Sequence, residues 1–143
     1  MDKPLRIIIS GGGTGGHIFP AVSIANAIMA KHPDAQILFV GALGRMEMQR
    51  VPQAGYQIKG LPVRGLARPL YSPKNIGVII DYFRSKRLAK KIVRSFKPQV
   101  AVGVGGYASA AALNAAESLG VPCLIQEQNS YAGKTNKMLG SKA

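Results

Sequence analysis

Five short, strongly apolar runs alternate with longer stretches of helical pattern, and no other feature constrains the fold of this chain so tightly. "LRIIIS" (Leu5–Ser10), "QILFVG" (Gln36–Gly41), "YQIKGLPV" (Tyr56–Val63), "QVAVGV" (Gln99–Val104) and "PCLIQ" (Pro122–Gln126) read as strands. Several are apolar almost throughout, as a strand is when both faces of its sheet are covered. Between them, Pro20–Lys31, Ser72–Lys97, Ala108–Leu119 and Ala132–Lys142 read as helices. That order requires crossover connections, so the expected class is α/β, a doubly wound parallel sheet under helices. The chain has 143 residues, 47% of them hydrophobic. This suffices for one domain, 1–143, that buries roughly two thirds of its unfolded surface.

In such sheets, ligands bind beyond the carboxyl ends of the strands. "GGGTGGH" (Gly11–His17), "GGYAS" (Gly105–Ser109) and "QEQNS" (Gln126–Ser130) all fall there, so three loops converge on one crevice. Glycine in that number is costly to order, and its presence after a strand implies that something approaches the backbone closely. The first two loops share an order of glycines, a ring side chain and then a helix of small residues. Each offers free backbone N–H groups and the positive end of a helix dipole, a device suited to phosphate. Two such sites on one rim fit a diphosphate; the bland reading of Gly105 and Gly106 is a tight turn only.

Charge points the same way. Lys and Arg number 19 against 6 Asp and Glu, a formal net charge of +13, which implies an anionic partner. Nucleic acid, an anionic membrane and a phosphorylated substrate all fit that sign. Nucleic acid is a minor alternative, since there is no Trp, few aromatics and no recognisable nucleic-acid module. Gly11, Gly13 and Gly16 satisfy G-x-G-x-x-G, but a dinucleotide site also needs an acid near the end of the second strand, where "LFVGALG" has none. "GKT" at Gly133–Thr135 would need a glycine where Gln128 stands, so the P-loop pattern fails. Cys123 lies inside "VPCLI" and reads as a reduced core residue. The N-terminal apolar run is too short for a signal peptide and none is long enough to span a bilayer, so any membrane contact is expected to be peripheral.

The helical stretch Lys74–Lys97 carries two stripes. Val78, Tyr82, Ala89, Ile92, Val93 and Phe96 form one apolar line, enough to pack against a sheet. Ile76, Ile80 and Phe83 form a second, which turns basic through Arg84, Arg87, Lys90, Lys91 and Arg94. A helix needs one core face, and apolar residues followed by cations suit an interfacial site on an anionic membrane. The competing reading places the second stripe beneath "RGLARPLYS" with its cations simply solvated.

"GGGTGGHIFPA", "GVGGYAS", "EQNSYAGKTNK" and "GRMEMQRVPQAGY" agree in order and spacing over essentially the whole chain. Together they resemble the MurG family, bacterial N-acetylglucosaminyltransferases that convert lipid I to lipid II in peptidoglycan synthesis. The resemblance implies the Rossmann-like N-terminal half of a GT-B glycosyltransferase, with a C-terminal half supplying most of the UDP-N-acetylglucosamine site. The chain then reads as cut before that second domain and as inactive alone. Gly12, Gly13, Gly105, Gly106 and Tyr107 would line the acceptor diphosphate site, and Thr14, Gly15, Gly16 and Asn129 would face the donor. His17 matches the family's candidate general base, and a helix start there favours the neutral imidazole that accepts a proton. The other reading of His17 is a phosphate contact or a loop-ordering group. Glu127 is the second candidate for proton handling, because the family's "HEQN" histidine is Gln126 here.

The implied reaction is an inverting transfer of N-acetylglucosamine from UDP-N-acetylglucosamine to the 4-hydroxyl of lipid I. No cofactor is required by it. A divalent cation could serve the diphosphates, but His17 and His32 form no ligand cluster and no metal site is expected. The implied partners are lipid I, the UDP-sugar and the anionic inner membrane surface, placing the enzyme on the cytoplasmic face as a peripheral protein. The alternatives are the acceptor domain of another two-domain nucleotide-sugar transferase and a non-enzymatic basic module that binds anionic lipid.

Overall fold

A computed structural model describes residues 4–11, 15–63 and 73–126, with the backbone alone described at 15–17, 74 and 107. Its elements run β1 (Arg6–Ser10), α1 (Gly15–Lys31), β2 (Gln36–Ala42), α2 (Glu47–Gln53), β3 (Gln57–Leu61), α3 (Lys74–Phe96), β4 (Val100–Gly103), α4 (Tyr107–Ser118) and β5 (Cys123–Ile125). The five strands form one sheet in the order β3-β2-β1-β4-β5, and every pairing is parallel. Chain direction across the sheet reverses at β1 and β4, which lie side by side with Ile8 opposite Ala101 and Ser10 opposite Gly103.

Alternate side chains of the same strands feed two cores. Ile7, Ile9, Phe39, Val102 and Val104 face α1 and α2, where they meet Ile18, Ala21, Ala25 and Val51. Ile8, Leu38, Val40, Leu61 and Ala101 face the other way, toward Ala89, Ile92 and Val93 of α3 and the alanines of α4. Both faces are therefore buried, which is why these strands are apolar without alternation. The expected doubly wound α/β class is the observed one.

Three expectations need correction. The first helix opens at Gly15, and Pro20 lies inside it; there proline forfeits the hydrogen bond its missing N–H would make to the Gly16 carbonyl and its ring crowds that carbonyl, yet the helix runs on to Lys31. His17 consequently stands in the first helical turn. A short helix, α2, occupies "EMQRVPQ", which the strand-and-helix pattern passes over because it holds a proline and only two apolar side chains of any length. Tyr82 does not join the core: it is 39% exposed, its ring edge-on to Phe83. Asn75 and Ser85 are buried instead, alongside Val78, Ala89, Ile92 and Val93. The Ala132–Lys142 helix lies outside the described residues.

α3 ends where Lys97 turns left-handed at φ 55° and donates its N–H to the Val93 carbonyl at 2.9 Å, with Pro98 behind it. Because α3 leaves the carboxyl end of β3 and feeds the amino end of β4, its first turns lie at the same end of the sheet as the glycine loops.

Candidate functional site

At the reversal of direction between β1 and β4, the two glycine loops touch. Gly11 leaves β1 so close to the second loop that a Cβ there would collide with Val104 Cγ2 and sit 3.4 Å from the Gly105 carbonyl oxygen. The Val104 N–H donates to the Ser10 carbonyl at 2.9 Å, and Ser10 Oγ, fully buried, donates to the Val40 carbonyl at 2.8 Å. These bonds fix the last turn of β1 against both neighbouring strands.

Gly105 and Gly106 then take φ values of 115° and 96°, a backbone region that residues with a Cβ rarely enter. The reversal they make launches α4 at Tyr107, with Gly106 as its cap. On the opposite sheet face α1 starts at Gly15. Two helix N-termini, on adjacent strands, thus stand at one end of the sheet, each with first-turn N–H groups that no intrahelical carbonyl can satisfy. Their partial positive charges add there, which suits an anion.

Gly103 and Ser109 set the α4 side of this corner. A Cβ on Gly103 would run into Ser109 Oγ and lie 2.7 Å from Leu113 Cδ2. Only a glycine lets the first turn of α4 settle directly on β4. Ser109 Oγ is buried there without a hydrogen-bond partner.

The end of β2 is organised by a residue that sequence reasoning did not single out. Glu47, 1% exposed, accepts the Ala42 N–H at Oε2 over 2.9 Å. Its presence in the first turn of α2 is the available signal, since acids favour that position. A carboxylate turned inward onto its own strand end cannot reach a ribose, so the dinucleotide reading stays excluded.

The proposed site residues fall into three groups. Gly15, Gly16 and His17 have their backbones in the first turn of α1, and Gly105, Gly106 and Tyr107 stand at the start of α4, all at the carboxyl end of the sheet. Gly12, Gly13, Thr14, Glu127 and Asn129 lie outside the described residues. The α3 group is exposed apart from the half-buried Lys90, with Ile76 at 64%, Ile80 at 54% and Phe83 at 62%, joined by Ile79 at 50%, which the sequence stripe omits. Arg84 pairs with Asp81 at 3.6 Å. Lys90 leans toward α4 and Lys91 toward β3, on opposite flanks of the exposed line. Among the described residues, no three His, Cys, Asp or Glu side chains come together as a metal site, and no helix is long and apolar enough to cross a membrane.

Strand order, helices on both faces and a switch point between β1 and β4 define a Rossmann-like α/β domain. Residues 7–143 match the glycosyltransferase family 28 N-terminal domain, and the chain belongs to that family. It is 66% identical over 143 residues to the UDP-N-acetylglucosamine--N-acetylmuramyl-(pentapeptide) pyrophosphoryl-undecaprenol N-acetylglucosamine transferase of Phocaeicola vulgatus, covering 100% of this chain and 38% of that protein. With the Bacteroides fragilis protein of the same name it shares 68% over 139 residues, 97% of this chain and 36% of that one. The structure of Acinetobacter baumannii MurG superposes with a TM-score of 0.84 at 26% identity, covering 98% of this chain and 40% of that one. SnogD from Streptomyces nogalater, a glycosyltransferase, gives 0.62 at 20% identity, over 87% of this chain and 34% of that one, a likeness of fold alone. The chain thus spans less than two fifths of the length of the two curated relatives.

Proposed function

We propose that the chain is the acceptor-binding half of an inverting N-acetylglucosaminyltransferase that converts lipid I to lipid II. The supporting observation is identity of 60–68% to curated transferases of that name along nearly the whole chain, on a fold whose glycine loops meet at the switch point. In this reading the lipid I diphosphate lies against Gly12, Gly13, Gly105, Gly106 and Tyr107, held by backbone N–H groups and the α1 and α4 dipoles. Thr14, Gly15, Gly16 and Asn129 face the UDP-sugar, which binds mainly to the second domain. The acceptor 4-hydroxyl attacks the anomeric carbon from the side opposite UDP. His17 takes the hydroxyl proton as the new C–O bond forms, and UDP leaves with the electron pair of the old one. Positioning and the single proton acceptor are the chain's share, the latter worth roughly 10²- to 10⁴-fold.

The exposed α3 stripe gives the same reading a membrane contact. Ile76, Ile80 and Phe83 stand at the sheet end that carries the glycine loops, so a lipid-linked acceptor can reach the crevice while its chain stays in the bilayer. Arg84, Arg87, Lys90, Lys91 and Arg94 follow along the helix toward anionic headgroups.

Full-length enzyme with UDP-N-acetylglucosamine and a lipid I analogue tests the reaction, read as lipid II formed and UDP released. His17→Ala should lower kcat roughly 10²-fold or more and change acceptor affinity less. Lost acceptor binding with kcat spared would make His17 a binding group and move the base to Glu127.

A further inference from the structure

At the opposite end of α3 from its exposed apolar residues, a groove of about 490 Å³ separates the helix from edge strand β3. Leu38, Ile92 and Phe96 supply apolar lining, and Arg6, Lys59 and Lys91 supply three cations. Among the described residues, no carboxylate lines it. Arg6 is fixed in place, its Nε donating to the Phe96 carbonyl at 2.7 Å and its guanidinium stacked 4.3 Å from the Phe96 ring centre, while Nη1 donates to Gln36 Oε1. Those acceptors are neutral, so its charge is oriented and not cancelled. Among the described residues β3 pairs with β2 alone and forms the edge of the sheet.

We propose that this groove docks an acidic, amphipathic peptide segment of a partner protein. Three cations line this one groove with no carboxylate beside them among its described lining residues, and an incoming carboxylate row supplies the counter-charge while apolar residues between the carboxylates cover the floor. The volume is that of a ligand cleft. A bilayer is the wrong shape for a concave site, and the apolar residues of the proposed membrane contact, Ile76, Ile80 and Phe83, lie at the other end of the helix, Lys91 being the one residue the two surfaces share. A bare phosphate would leave the apolar floor wet. The docking surface is thus independent of the transferase reading, which it neither needs nor supports.

The probe is a fluorescein-labelled short peptide alternating Glu with Leu, titrated with the full-length enzyme at near-physiological salt. Binding should weaken about tenfold or more in Lys59→Glu, and hardly at all in Arg50→Glu, an equal charge change on exposed α2. Oligo-Glu of equal length should bind clearly more weakly than the alternating peptide. Vesicle binding should survive Lys59→Glu. Equal loss in both charge variants would reduce the effect to net charge and overturn the proposal. So would oligo-Glu matching the alternating peptide, undetectable binding of either, or vesicle binding lost together with peptide binding in Lys59→Glu.

Discussion

Gly11 and Val104 pack so closely that no side chain fits between them: a Cβ on the glycine would occupy the space of Val104 Cγ2. The end of β1, at the root of the first glycine loop, is therefore in direct contact with the root of the second. Gly11→Ala should destabilise the fold by about 1–3 kcal/mol, the usual range for overpacking. Adding Val104→Ala should recover part of that loss, and urea unfolding of the two single variants and the double variant measures the coupling. Strictly additive losses would show that the two residues do not share the space.

Glu47 is the second structural anchor of the site's end of the sheet. Replacing it with Ala leaves the buried Ala42 N–H without its 2.9 Å acceptor and opens a void, so stability should fall by more than the 1–3 kcal/mol typical of one unsatisfied buried group. Glu47→Gln keeps an amide oxygen and should cost less. If the two variants unfold at the same urea concentration, the hydrogen bond to β2 is not what Glu47 contributes.

The central strands β1, β2 and β4 were legible in the sequence because they are buried on both faces, and continuous apolarity is hard to produce any other way. The face α3 presents to the core was only half legible. Its buried line includes Asn75 and Ser85, polar residues that hydrophobic periodicity skips, while Tyr82 fits the period yet stays exposed. The glycine loops announced themselves by composition. Their mutual contact did not, since Gly11 and Val104 meet only through the pairing of β1 with β4, which the linear pattern of runs leaves open. Glu47 was hidden for a similar reason: the chemistry of a lone acid after a strand depends on whether it turns outward to a ligand or inward to the backbone.

Cys123 ties stability to alkaline pH. Burial, and secondarily the negative charge of Glu117, raise its thiol above the ordinary 9.0, while its Sγ lies 3.4 Å from the Val121 carbonyl and 3.6 Å from that of Leu113. The folded state thus holds the proton more tightly than the unfolded state. This contribution is fully present below the unfolded thiol's pKa and is lost as pH rises through the folded one. Tyr56 is raised from 10.0 by burial and acts in the same direction. Cys123→Ser removes the titration at this site, so the decline in urea midpoint from about pH 8 to about pH 10.5 should be shallower than in the wild type. Parallel declines would assign the loss to other groups.

Vesicle binding separates an interfacial α3 from a merely wet one. Ile76, Ile79, Ile80 and Phe83 together present four large apolar side chains, each at least half exposed. A fully buried side chain of this size contributes roughly 1.5–3 kcal/mol, so inserting these partly exposed ones should still yield several kcal/mol in sum. Each cation near an anionic surface adds about 1 kcal/mol, less where it is already paired, as Arg84 is with Asp81. Ile80→Ser with Phe83→Ser should therefore weaken binding to anionic vesicles at least tenfold at both low and high salt, because the apolar term is not screened. Neutralising Arg87, Lys90 and Lys91 should instead remove the preference for anionic over neutral vesicles, with most of the loss at low salt. The two effects should combine in the full set of substitutions, since one acts through insertion and the other through attraction to the surface. Binding that ignores all five changes, or that is equal on neutral and anionic lipid in the wild type, would leave the exposed stripe to another partner.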